Sequence, residues 1–133
     1  MSQASVEIAK LSVDAWNRGD MDEVFALLDP HVRWTTAADE PDPQTYVGHE
    51  GVRQLIASLL DIWDEGFTMK AQEFIDLGDV VVVPFTAHVA GRGSGVALEA
   101  EETHVFTIHD SKIVRVREYR TRDEALKAVG LSE

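Results

Sequence analysis

Between Ala100 and Thr121 the chain carries two carboxylates and an imidazole at strand spacing. Side chains two residues apart share one face of a strand, and in Ala100 to Ile108 the set Ala100, Phe106 and Ile108 is apolar, which places Glu102 and His104 on the same inward face. Glu101, Thr103, Val105, Thr107 and His109 take the opposite face. In the next segment Val114 and Val116 mark an inward face that would include Glu118 and Arg120, whereas Ile113 and Tyr119 support the other phase. The hairpin loop decides between them. A three-residue loop with a bulge sets Glu102 opposite Glu118 with His104 beside them, and a two-residue turn sends Glu118 to the far face.

In the first of these registers two carboxyls and an imidazole share a partly apolar cavity. Like charge and desolvation would then raise one carboxyl pKa and give a proton donor near neutral pH, with His104 as base or orienting partner. The competing reading is a cross-strand ion-pair ladder of Glu102, Glu118, Arg117 and Arg120 that stabilises the sheet or a dimer. A hydrolase, with carboxylates and arginine activating water, would need Arg120 inward as well. Trp34 is the best aromatic candidate for a pocket wall, and Tyr46 can present its hydroxyl at the mouth. Trp16 and Trp63, at helical spacing, read as core. Asp39 and Glu40 lie in a Pro-flanked stretch, either as residues able to swing over the pocket or as solvated turn residues. His31, His49, His88 and His109 show no spacing of a metal triad and read as surface or edge groups. No cofactor and no metal site is expected, and GRGSG, which joins two strands without a following helix, has no phosphate-binding pattern.

The elements that must position these groups follow from hydrophobic period. A first helix is expected from about Ser5 to Arg18, burying Val6, Ala9, Val13 and Trp16. Gly19 suits its left-handed exit, Asp20 suits the N-cap of a second helix from Met21 to Leu28, and Glu23 sits three residues on. Asp29-Pro30 stops that pattern before a strand over Val32 to Thr35. Thr36 to Gly48 reads as an irregular loop, and Glu50 to Asp64 as a third helix with Val52, Leu55, Ile56, Leu59 and Trp63 on one face. From Phe67 the period becomes two, in candidate strands Thr68 to Ile75, Val80 to Val89, Leu98 to His109 and Ile113 to Thr121. Turn chemistry at Leu77-Gly78-Asp79, Gly91 to Gly95 and Asp110-Ser111-Lys112 predicts an antiparallel meander. Asp123 to Val129 is a short closing helix.

The 133 residues fit one domain, 1–133, with no repeat or low-complexity tract. The net charge of -12 opposes a phosphate backbone or an anionic lipid surface, so neither nucleic acid nor a membrane is an expected partner. The chain has no cysteine, hence no disulfide, thiolate nucleophile or thiolate metal site. No secretory signal or spanning apolar run is visible, and a cytoplasmic location is expected by default.

Three helices followed by curved antiparallel strands suggest an α+β cone, with the helices on the concave face and a pocket at the open end. The segments AWNRGDMDEVFALLDPHVRW, YVGHEGVRQLI, HDSKIVRVREY and DEALKAVGL make the chain resemble the nuclear-transport-factor-2-like superfamily, and within it the SnoaL-like group related to polyketide cyclases and ketosteroid isomerase. In SnoaL-like cyclases an Asp near the end of the last strand is the general acid/base and a His on the preceding strand assists; by resemblance these positions fall on Glu118 and His104, with Glu one methylene longer than Asp. The ketosteroid isomerase base falls on Trp34 and that family's helix-one tyrosine near Ser12, so steroid-type isomerisation by those residues is disfavoured. The resemblance implies a small-molecule pocket and cyclisation, isomerisation or dehydration of a small, partly apolar carbonyl compound. The alternative is a noncatalytic ligand-binding or dimerisation module. The mixed outer strand faces carrying Arg115, Arg117, Tyr119, Thr103, Val105 and Thr107 suggest a homodimer.

Overall fold

A computed structural model of the chain describes residues 2–37, 44–64 and 66–131. Asp39 and Glu40 lie outside the described residues. The order is α1 (Ser2–Arg18), α2 (Met21–Leu27), β1 (Leu28–Thr35), β2 (Thr45–Val47), α3 (Gly48–Ile62), β3 (Thr68–Ala71), β4 (Ile75–Asp76), β5 (Val80–Ala90), β6 (Ala97–His109), β7 (Lys112–Tyr119) and α4 (Arg122–Ala128). Asp20 caps α2 as expected, its carboxylate accepting from the Glu23 N–H at 3.1 Å. Thr121 and Glu124 form a full capping box on α4.

One sheet runs β2-β1-β7-β6-β5-β3, with β4 also on β5. The expected meander is present, since β3, β5, β6 and β7 pair antiparallel in turn. Two features depart from the expectation. The loop before α3 contains β2, which adds an edge to β1, and β1 lies parallel to β7. The predicted strand Thr68 to Ile75 is broken into β3 and β4, and the break falls against Pro84 of β5, between the pairs Ala71↔Phe85 and Ile75↔Val82. Proline has no N–H to offer a neighbouring strand, so the ladder is interrupted there. The result is an α+β cone of mostly antiparallel, curved sheet and helices.

The main core joins Val6, Ala9 and Ala15 of α1, Val24 of α2 and Val52 of α3 to Leu28, Val32, Val81, Val83, Phe85, Phe106, Ile108, Ile113 and Val116. Trp16 packs against it edge-on to Phe67, with its Nε1 buried and without a hydrogen-bond partner among the described residues. Trp63 does not join this core; it follows α3 and bridges to Gly91, because the helix ends at Ile62, earlier than its apolar spacing suggests. At Gly51 of α3 a Cβ would stand 3.1 Å from the Tyr46 carbonyl carbon, so a larger residue there would push β2 away from α3 by a few tenths of an ångström.

A second, smaller core lies on the other face of the sheet, where Ala125 and Leu126 of α4 cover Val82 and Val105, with Tyr119 packed alongside. Val105, one of the outer residues that suggested a homodimer, is therefore buried against the chain's own closing helix, and Thr103, another of them, is buried as well.

Candidate functional site

Glu102, His104 and Glu118 come together on the helix-facing side of the sheet. The hairpin that decides this combines features of both expected registers. The turn is two residues, Asp110 and Ser111, between the pair His109↔Lys112, and both residues have positive φ, 50° and 62°. The register then slips by one between Ile108↔Ile113 and Thr107↔Arg115. This bulge returns Glu118 to the inner face, opposite His104; the expected pairing of Glu118 with Glu102 is corrected accordingly. It also explains why Ile113 and Val116 are both fully buried in the main core although three residues apart on one strand.

His104 is 6% exposed and ringed by Phe85, Trp34 and Phe106, whose centroids lie 5.0, 5.9 and 6.0 Å from its own. Its Nε2 is 2.6 Å from Glu102 Oε1 and 3.8 Å from Glu118 Oε2. The Trp34 indole N–H donates to Glu118 Oε2 at 2.7 Å. Each position follows from alternation: Trp34 pairs with Val116 and Tyr46, and Glu102 with Phe85, all on the inner face.

Burial works against a charged His104, but the hydrogen bond to Glu102 and the charges of Glu102 and Glu118 outweigh it and hold the imidazole pKa above its ordinary value. Burial likewise pushes the Glu102 carboxyl up, but the His104 hydrogen bond and the charges of His104 and Arg120 prevail and leave it below the ordinary carboxylate value. Glu102 is therefore not a neutral proton donor. It is the anion that favours the protonated form of the His104 imidazole.

Tyr46 sits beside Trp34 on β2 and is half-buried. Arg120 lies just past β7, exposed, and its charge reaches Glu102. The aromatic walls Phe85 and Phe106 were not singled out as site residues, although their alternation with Glu102 and His104 marks them. Among the other histidines, His49 bonds the Leu28 carbonyl at 2.9 Å and His88 pairs with Glu99 at 3.4 Å, while His31 and His109 are exposed.

Glu102, His104 and Glu118 each offer one donor atom within 4.8 Å of the others, so the set could also hold a divalent cation, although no metal site was expected. The 2.6 Å contact between His104 and Glu102 would have to open for both to ligate one ion.

The fold and this strand-borne group define a class. Residues 9–116 match the model of the SnoaL-like domain, and the chain belongs to that family. The match ends before Glu118 and Arg120. Comparison with curated proteins finds no match. Among solved structures, an NTF2-like protein of unknown function from Burkholderia pseudomallei K96243 is 24% identical, with 96% of this chain and 98% of that one covered and a TM-score of 0.79. TerC, co-crystallised with polyporic acid, is 22% identical over 93% of this chain and 96% of its own, with a TM-score of 0.77. A protein of ketosteroid isomerase-like fold from Catenulispora acidiphila DSM 44928, in complex with trimethylamine, is 15% identical over 94% and 93%, with a TM-score of 0.74. At these identities the likeness concerns the fold.

Proposed function

We propose that this protein holds a small, partly apolar carbonyl compound and performs cofactor-independent acid/base chemistry on it, of the cyclase, isomerase or dehydratase type. The observation that carries the reading is a buried imidazole held between two carboxylates in an aromatic enclosure, with one carboxylate fixed by an indole N–H. The roles divide by environment. Glu118, oriented by Trp34, takes a proton from the carbon beside the carbonyl; His104, bonded through Nε2 to Glu102, which favours its protonated form, stabilises by its positive charge the negative charge that develops on the carbonyl oxygen. Trp34 and Tyr46 supply apolar contact, and Arg120 supports the Glu102 charge. Asp39 and Glu40 remain candidates for ligand contact. Solved neighbours carrying polyporic acid and trimethylamine support a ligand-holding use of the fold.

The second reading is a noncatalytic binding or dimerisation module. It is favoured by the way the four side chains already satisfy one another, Trp34 with Glu118 and His104 with Glu102. Exchange of α-protons in D2O separates the two. A panel of cyclic and aromatic ketones is screened by Trp fluorescence, and those that bind are followed by NMR. On the catalytic reading the wild type exchanges the α-protons of a bound ketone and Glu118→Gln, which can still accept from Trp34, does so about a hundredfold more slowly. Equal, background-level exchange with unchanged binding establishes the binding module.

Homodimer assembly belongs to the same proposal, through the part of the outer sheet face that α4 leaves open. A monomer at micromolar concentration by sedimentation overturns it. A cytoplasmic location is likewise proposed. Among the described residues no helix is long and apolar enough to cross a membrane.

A further inference from the structure

The outer face of β2, β1 and β7 is chemically unlike the rest of this acidic chain. A groove of about 610 Å³ there is lined by Arg33, Arg115, Arg117, Arg120 and Lys127, with Thr35, Thr45 and Tyr119 between them. These five cations belong to a set of 12 Lys and Arg in a chain with 24 Asp and Glu. The clustering is imposed by register. Arg33 pairs directly with Arg115 across the parallel β1–β7 ladder, and Arg117 follows beside Thr35, so three guanidinium groups occupy adjacent positions on one face.

Like charges directly opposite on neighbouring strands oppose folding unless something neutralises them. Among the described residues no carboxylate lies within ion-pair distance of Arg33, Arg115, Arg117 or Lys127. Of the two acids in the lining, Glu118 Oε2 accepts from Trp34 on the inner face, and Glu124 Oε1 accepts from the Thr121 N–H in the capping box. Arg33, Arg115, Arg117 and Lys127 thus have no carboxylate partner among the described residues, although carboxylates are twice as numerous as cations in the sequence.

We propose that this groove is a binding site for a small ligand bearing two or more oxyanion charges, a phosphoryl or polycarboxylate group, separate from the Glu102–His104–Glu118 cluster. Forked guanidinium donors suit such oxygens, and the groove is of small-molecule size. The net charge of -12 repels a long polyanion, whereas a ligand confined to the groove meets chiefly the local cations. The same anion would neutralise the arginines whether the face is open or adjoins a second copy.

The test uses the full chain with inorganic pyrophosphate and with citrate, titrated by NMR and calorimetry against sodium chloride of matched ionic strength. A saturable response centred on β1, β7 and α4 is expected, weakened roughly tenfold by Arg33→Gln or Arg115→Gln and unchanged by Lys70→Gln on β3. A response to pyrophosphate alone assigns a phosphoryl ligand, and a response to citrate alone a carboxylate. The proposal is overturned if neither anion saturates, if Lys70→Gln weakens binding as much as the arginine variants do, or if the arginine variants alter only the association state in sedimentation.

Discussion

His104 and Glu118 face each other across β6 and β7 because β7 accommodates one extra residue between its Ile113 and Arg115 pairings. Without that slip, a two-residue turn would put Arg117 opposite His104 and leave Glu118 on the outer face. The carboxylate would then be lost to Trp34, and a guanidinium would enter the aromatic enclosure. The chemistry of the inner face thus depends on backbone geometry several residues away from it.

The turn itself is strained by its residue types. Asp110 and Ser111 both adopt left-handed conformations, at φ 50° and 62°, where Asn-Gly is the favoured pair for a two-residue hairpin. The double change Asp110→Asn and Ser111→Gly is expected to raise stability by about 1 kcal/mol without moving Glu118. Urea unfolding measures the gain, and an unchanged NMR resonance for the Trp34 indole N–H checks the register. A loss of stability would mean that the turn conformation is not the one described.

The Glu102–His104 pair imposes a definite pH dependence. The Glu102 pKa is depressed from 4.5, so its contribution is present above that value and is lost as pH falls through the folded-state pKa. The His104 pKa is raised from 6.5, so its contribution is complete below that value and is lost as pH rises through the folded-state pKa. Stability from the pair is therefore greatest between these limits. In Glu102→Gln the imidazole loses its nearest anion, its titration moves to lower pH, and the decline above pH 6.5 should flatten. Chemical unfolding across the range, with NMR titration of His104, checks this; identical alkaline slopes in both proteins would contradict it.

Trp34→Phe tests the indole–carboxylate bond while retaining a ring. The change leaves Glu118 Oε2 without its 2.7 Å donor in a largely buried position, at an expected cost of about 1–3 kcal/mol. Equilibrium unfolding measures it. On the acid/base reading the same variant also slows α-proton exchange of a bound ketone, because the base is no longer oriented. A variant as stable as the wild type would assign the bond no structural weight.

The sequence made α2 legible where cap and period agreed, since Gly19-Asp20 acts through bonds a few residues apart; Thr121 before α4 carries the same kind of local signal but was read as the end of the last strand. The inward set Glu102, His104, Phe106 and Ile108 was legible for the same reason, since alternation along an unbroken strand is local. What period could not resolve was β7, where Ile113 and Val116 support opposite phases. Both face the core, each on its own side of the bulge. A conflict between two well-defined phases was itself the signal of a bulge. The pairing of β1 with β7 and the split at Pro84 depend on distant partners, and the Glu102 pKa depends on a histidine bond that sequence spacing alone does not specify.

The closing helix offers the last prediction. α4 has only seven residues, too few to persist without tertiary contacts, yet it is what covers Val82 and Val105 on the outer face. Its start depends on the Thr121 hydroxyl accepting from the Glu124 N–H at 3.1 Å and on the Glu124 carboxylate accepting from the Thr121 N–H at 3.3 Å. Thr121→Ala removes the first bond and should cost about 1 kcal/mol. Leu126→Ala, which opens a gap over Val82 and Val105, should cost about 2–5 kcal/mol. Both variants should also expose outer-face apolar surface, read as increased binding of a hydrophobic dye before global unfolding, and faster amide exchange in α4 than in β6. Unchanged exchange in α4 with Thr121→Ala would show that packing alone holds the helix, and that its capping box is dispensable.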